Sequence, residues 1–325
     1  MSKKIIIKEN GLVLIKGGDL SIVMNNEEDL QIDDFDFAED AKDIFLLNNE
    51  LLYNSEKSLF KMDLETGEAS KVMELEDKKM TVFDDKIYLA SFIDASIKIE
   101  TYDDKFSLIK ENLFAEFENT EVVFNTDYPI MVDLWDDDDE YENIKPIITG
   151  FTVEDGLFVI SMNKDLYFGD FGKQVVKNIE IPQTYGMDVD LFLRKPALTL
   201  HGRDKEVSLD FTITQLPFRK KRRGGIEKLE VKLLKRGVDN ITPSVSKNGE
   251  FWFGSEGEDE LFPILVNLKK LEPLVVFDEA ISNEHEMTAS EDLKTLYITD
   301  FESELKKYDW NEEGIFLDYI VDLKE

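Results

Sequence analysis

Cysteine is absent from all 325 residues. That excludes disulfides, thiolate metal sites and a catalytic thiol, and it suits a chain kept in a reducing compartment, so a cytoplasmic location is expected. Histidine occurs twice, at His201 and His285, which excludes a histidine-rich zinc centre. The two are far apart and share no ligand spacing, so each reads as a surface or loop histidine rather than a catalytic base. Cationic residues are scarce: 38 Lys and Arg stand against 71 Asp and Glu, a formal net charge of −33. A surface of that sign repels phosphate backbones, and nucleic acid is not expected as a partner. Long apolar runs are missing as well. No stretch approaches the roughly 18 uninterrupted apolar residues of a membrane-spanning helix. In the opening "MSKKIIIKENGLVLIKGG", Lys8, Glu9 and Asn10 cut the apolar run below the roughly seven to fifteen residues of an export-signal core. Neither a membrane role nor an export signal is expected. The chain also lacks a Gly-rich phosphate loop, a Gly-x-Ser-x-Gly elbow and a dinucleotide fingerprint, which lowers the expectation of an enzyme.

What is present is strand composition. Hydrophobic residues make up 42% and aromatics 11% of the chain, enough apolar surface to offset the entropy of ordering, so this acidic sequence folds. Segments such as "KIYLASF", "GLFVISM" and "EFWFGS" join β-branched and aromatic residues in runs of strand length, bounded by Asp, Asn and Gly. Turn dipeptides then set a period. Asn10-Gly11, Asn48-Asn49, Asp84-Asp85, Asp155-Gly156, Asn248-Gly249 and Asp292-Leu293 each precede a strongly apolar strand, and weaker turns at Asn119 and Lys195-Pro196 fill two wider gaps. The eight turns lie about 35 to 53 residues apart, a repeat-unit spacing.

Inside one unit the order is constant. "DIFLL", "ELLYNS", "SLFKMDLETG" and "ASKVMEL" are followed by "MTVF", "KIYLASF", "SIKIETYDD" and "FSLIKENL", two successive four-stranded meanders. A single meander has two faces to bury and exposed edges, and units of this size solve both problems by stacking radially. The expected fold is all-β: a single β-propeller of seven or eight four-stranded antiparallel blades, residues 1–325 forming one domain with a basic insertion near 218–237. The unit that opens near Pro196 has the weakest turn of the eight.

The stretch "SEDLKTLYITDFESELKKYD" resembles the blade signature of the YVTN/TolB-like propellers, a Ser-Pro-Asp-Gly-Lys turn followed by a Leu-Tyr-Val-Thr strand. Ser290 to Thr299 carry the resemblance, and "SVSKNGEFWFGS", Ser244 to Ser255, carries it more weakly. Glu291 and Leu293 stand where that family has Pro and Gly. The resemblance implies a WD40-like propeller architecture and no chemistry.

Two charged runs are the candidate contact sites. In "DLWDDDDEYE", Asp133 to Glu142, Trp135 is followed by Asp136, Asp137, Asp138, Asp139 and Glu140. The run lacks the alternating Asp/Asn positions, central Gly and distant Glu of an EF-hand loop, so a solvated or protein-binding loop is expected before a metal site. In "FRKKRRGGIEKLEVKLLKRG", nine basic residues face two acidic ones between Arg219 and Arg236. Its leading cluster, Arg219, Lys220, Lys221, Arg222 and Arg223, reads as a solvated hairpin or as a contact for an acidic partner, including the acidic loop of a second copy. Trp252 and Trp310 read as inter-blade core.

The function expected from these features is a non-enzymatic cytoplasmic binding or scaffold protein whose acidic propeller surface recognises a basic protein partner, in the manner of an immunity-type or inhibitory protein. No cofactor is expected. Two alternatives stay open: a propeller hydrolase or lactonase holding a divalent cation such as Ca²⁺ with carboxylates in its channel, and a DNA-mimicking acidic inhibitor.

Overall fold

Pairs of residues in the left-handed region of backbone space set the strand ends. Glu56 and Lys57, Asp84 and Asp85, Asp94 and Ala95, and Asp155 and Gly156 all have φ between 48° and 78°, the signature of two-residue hairpins whose twist matches that of the flanking strands. The computed structural model describes residues 3–8, 11–25, 30–124, 146–181, 187–195, 197–203, 208–213, 216–217, 228–237, 241–257, 260–282, 284–311 and 314–323. Among them there are strands and turns and no helix.

The first sheet is the meander β1 (Lys3–Lys8), β2 (Gly11–Lys16), β3 (Asp19–Asn25) and β4 (Leu30–Asp36). The second is β5 (Lys42–Leu47), β6 (Glu50–Ser55), β7 (Ser58–Asp63) and β8 (Ala69–Glu74). The third is β9 (Lys79–Phe83), β10 (Lys86–Ile93), β11 (Ser96–Tyr102) and β12 (Leu108–Phe114). Two short strands follow, β13 (Phe117–Asn119) and β14 (Glu121–Phe124). The fourth sheet is β15 (Ile148–Glu154), β16 (Leu157–Met162), β17 (Asp165–Asp170) and β18 (Val175–Glu180), and the fifth is β19 (Asp188–Arg194), β20 (Ala197–Arg203), β21 (Ser208–Ile213) and β22 (Lys228–Gly237). The sixth is β23 (Ser244–Val245), β24 (Phe251–Glu256), β25 (Phe262–Asn267) and β26 (Glu272–Val276), and the seventh is β27 (Glu286–Ala289), β28 (Thr295–Thr299), β29 (Glu304–Asn311) and β30 (Gly314–Asp322). Seven four-stranded antiparallel sheets in this order are the blades of a β-propeller.

The count is seven, and Asn119 does not open an eighth. It ends β13, which pairs in parallel with β18, while β14 pairs in parallel with β22. Thr120, between the two short strands, donates its N–H to the Asn178 carbonyl at 2.9 Å. The chain therefore lays a fifth strand on the outer edges of the fourth and fifth sheets, covering backbone groups that an edge strand otherwise leaves open. The weak turn at Lys195-Pro196, by contrast, opens a complete sheet.

By contacts the chain divides into two compact units, Met1–Tyr88 with Thr101–Ile109 and Asp239–Glu325, and Leu89–Glu100 with Lys110–Val238. In the first unit, Val13, Ile15, Leu20 and Ile22 pack on Ile44, Leu51, Tyr53 and Met62. There the last sheet also meets the first, Leu305 and Val321 lying against Ile5, Leu12 and Leu14. In the second unit, Val159, Leu166 and Phe168 of the fourth sheet pack on Leu198, Leu200, Phe211 and Ile213 of the fifth. Each fully buried Leu, Ile or Phe contributes about 1.5–3 kcal/mol. Alternation along the strands is what supplies these layers.

Two of the turns show one design twice. Ser246 Oγ accepts the N–H groups of Glu250 and Phe251 at 3.1 and 3.0 Å and donates to Asn248 Oδ1 at 2.7 Å. Ser290 Oγ accepts the Thr295 N–H at 3.1 Å and donates to Asp292 Oδ1 at 2.7 Å. The residue that must take positive φ is Gly249 (66°) in the first and Leu293 (55°) in the second. Leu293 bears that backbone cost because its side chain is fully buried between the sixth and seventh sheets.

Candidate functional site

The residues singled out in the two charged runs, Trp135, Asp136, Asp137, Asp138, Asp139 and Glu140, and Arg219, Lys220, Lys221, Arg222 and Arg223, lie outside the described residues. Their anchors are described. The acidic run follows β14 and the basic run precedes β22, and these two strands pair side by side with Glu121 opposite Lys228. From Lys228 onward the basic segment is itself the outer strand of the fifth sheet. Trp252 is 3% exposed, and Trp310 is half-buried with its ring 5.8 Å from that of Phe251, edge to face. Both belong to the core, as their strand positions imply.

His201 is not a surface or loop residue. It sits in the middle of β20, 1% exposed, directly opposite Asp210 of β21, with His201 Nδ1 3.0 Å from Asp210 Oδ1. The reason is register. Thr199, His201 and Arg203 face Thr212, Asp210 and Ser208 across the hairpin, so the polar residues of both strands share one face while Leu198, Leu200, Leu209, Phe211 and Ile213 fill the other. The alternation in "ALTLHGR" and "SLDFTI" carries that signal, but which polar residue meets which depends on the hairpin register. The carboxylate orients the imidazole as in an acid–base dyad. The outer ring nitrogen, Nε2, is buried and finds no hydrogen-bond partner, as does Ser208 Oγ. With both residues 1% exposed, the pair forms a polar seam inside the sheet.

His285 does lie in a loop, just before β27. Its Nδ1 accepts the Ser282 N–H at 3.2 Å and is 3.1 Å from Ser282 Oγ. Burial holds its pKa below the usual histidine value, so the ring is neutral at neutral pH. His285 lines a shallow recess between the sixth and seventh sheets. Phe277, Ile298 and Tyr308 form an apolar floor, the rings of Phe277 and Tyr308 meeting at 5.1 Å and 83°. Glu279 and Glu304 stand at the rim. Lys306 joins the lining, its Nζ 2.8 Å from Glu279 Oε2 and 3.4 Å from Glu304 Oε2. The hydrogen bond that Lys306 donates to Glu279 raises the Lys306 pKa and keeps the ammonium charged. Neither the sequence motifs nor the turn pattern pointed to this recess, because its residues come from three strands and two loops.

Among the described residues no three His, Asp or Glu side chains converge as a metal-binding group, and no helix is long and apolar enough to cross a membrane. Carboxylates instead face one another across strands. Asp19 is paired with Asp36, Glu50 with Asp63, Asp165 with Glu180, and Glu304 with Asp322. Like charges placed directly opposite destabilise a sheet. For Asp165, burial and then Glu180 push the carboxyl pKa up. The described lysines are largely engaged within the chain, as Lys16 on Glu302 at 2.6 Å, Lys79 on Asp43 at 2.7 Å and Lys98 on both Glu100 and Glu111 at 2.8 and 3.0 Å.

No protein-family model matches the chain, and no curated protein matches it in sequence. Solved structures match it in fold. PorZ, a bacterial surface component of the type-IX secretion system of Porphyromonas gingivalis, aligns with a TM-score of 0.56 and 11% identity over 99% of this chain and 38% of its own. The β-propeller domain of Cps50 (Swd1) from Myceliophteria thermophila aligns with a TM-score of 0.52 and 10% identity, covering 97% of this chain and 95% of that one. Hsv2 of Kluyveromyces marxianus gives 0.50 and 10%, with the same coverage. At such identities the likeness concerns the fold alone, and that fold is the seven-bladed β-propeller.

Proposed function

We propose that this chain is a non-enzymatic, cytoplasmic binding or scaffold protein whose acidic propeller surface recognises a basic protein partner. The observation that carries the reading is the opposition of Asp19 on β3 and Asp36 on β4. Asp19 and Asp36 are both exposed, directly across from each other, and neither has an ion-pair partner among the described residues. A fold under selection for stability alone has no use for such pairs, whereas a basic partner supplies the missing cation and turns the repulsion into affinity. The net charge of −33 extends the effect over the whole molecule and speeds encounter with a cation-rich surface. A propeller provides a rigid frame for that role. Trp135 with Asp136 to Glu140 is proposed as part of the same surface, and Arg219 to Arg223 as a contact for an acidic surface, including that of a second copy.

The test is capture of partners from the native cell at about 0.05 and 0.5 M salt, where the Debye length falls from roughly 14 to 4 Å. Identified partners should be basic, should be lost at the higher salt, and should be lost when Asp19, Asp36 and Asp34, the last also exposed on β4 and accepting the Ser21 hydroxyl at 2.6 Å, are changed together to Asn and Ser. Partners that are acidic or salt-insensitive contradict the reading.

A further inference from the structure

We infer that the recess between the sixth and seventh sheets is an anchor pocket for one arginine side chain of the basic partner. This inference rests on the binding role proposed above and adds the place and chemistry of the contact. The pocket already holds a cation of its own: Lys306 lines it and is held at 2.8 Å by Glu279 and 3.4 Å by Glu304. Lys306 is only 24% exposed in its side chain, while Glu279 and Glu304 are 70% and 51% exposed and have room for a second donor. An incoming guanidinium would take both carboxylates through its planar fork, a geometry that a point-like ammonium cannot match.

The flank of the recess specifies the rest of the segment. Lys306 is paired with Ile320 and Tyr308 with Leu317, so those two side chains stand on the same face as the recess, and they are 51% and 50% exposed. β30 is the outer strand of its sheet, and no strand pairs with its other edge among the described residues, which leaves that edge to an extended chain. Apolar residues beside the basic one would cover Leu317 and Ile320, which gives the partner segment its chemistry: an extended stretch with a single cation between apolar side chains.

The experiment uses the full chain and a fluorescent hexapeptide with one central arginine between leucines, with a second peptide in which citrulline replaces the arginine. The arginine peptide should bind at least ten-fold more tightly than the citrulline peptide. Glu279→Gln with Glu304→Gln should weaken it by ten-fold or more at an unchanged melting temperature, and Lys306→Met should tighten it several-fold by removing the resident cation. Equal binding of the two peptides, or an unchanged affinity in the double variant, overturns the pocket. If the double variant loses the peptide pocket but still captures the salt-sensitive partner at full strength, the pocket is not where that partner docks and the inference falls while the acidic-surface reading stands. A wild-type chain that binds neither peptide nor any basic partner removes both.

Discussion

His201 donates or accepts through Nδ1 at 3.0 Å from Asp210 Oδ1, in the interior of a β-hairpin where both residues are 1% exposed. Removing one member of such a pair leaves the other buried and unsatisfied, which costs far more than the pair contributes. Asp210→Ala should therefore destabilise the protein by about 3 kcal/mol or more, measured by urea unfolding. A loss within the range of ordinary surface substitutions, about 0.5 kcal/mol, would show that the seam is not packed as described.

Phe158 of β16 is fully buried directly opposite Gly169 of β17, its ring occupying the space that a Cβ on residue 169 would enter at 1.9 Å. Gly169→Ala should cost about 1–3 kcal/mol by overpacking. Adding Phe158→Leu should recover part of that loss, so the two changes are non-additive in a double-mutant cycle. Simple additivity would mean that the ring and the glycine do not share this space.

Much of the fold is legible in the chain because turn chemistry and strand alternation are local. Asn48, Asp84 and Asp155 announce the first hairpins of their sheets, and each takes positive φ. The second hairpins at Glu56-Lys57 and Asp94-Ala95 take the same conformation with residues that give no compositional warning. Asn119 misleads because its neighbours have strand composition yet pair in parallel with strands 59 and 107 residues further on, a non-local arrangement that no local pattern encodes. The same limit applies to the sites. The acidic character is visible from counting, but the Asp19–Asp36 opposition, the burial of His201 and the recess around Lys306 all depend on register and on packing between sheets.

Asp300 holds the turn between β28 and β29 together. Its Oδ1 accepts N–H groups from Glu302, Ser303 and Glu304 at 3.0, 2.8 and 2.9 Å, and Ser303 Oγ donates to Oδ2. Burial alone would raise its pKa, but these donors outweigh it and hold the carboxyl far below the ordinary value. A depressed folded-state pKa means that the stabilisation is fully present above the unfolded value of about 3.9 and is lost as pH falls towards the folded one. The stability gap between wild type and Asp300→Asn should be constant from about pH 5 to 7 and should shrink below about pH 4. A gap that does not change with pH would contradict the role given to the ionised carboxylate.

Asp36 offers the opposite sign of effect. Because it faces Asp19 across the strands, Asp36→Lys should stabilise the protein by about 0.2–1 kcal/mol, read as a raised melting temperature at low salt. The same change should weaken partner binding. Stabilisation without any loss of binding would remove Asp36 from the recognition surface.

The central claim is electrostatic recognition of a basic protein, and the most direct measurement is the association rate constant of a captured partner as a function of ionic strength. Steered association predicts that this rate falls at least ten-fold between about 0.02 and 0.5 M salt while the dissociation rate changes little. It also predicts a shallower slope for the chain with Asp19, Asp34 and Asp36 neutralised. An association rate indifferent to salt, or a slope unaltered by those substitutions, would contradict the account.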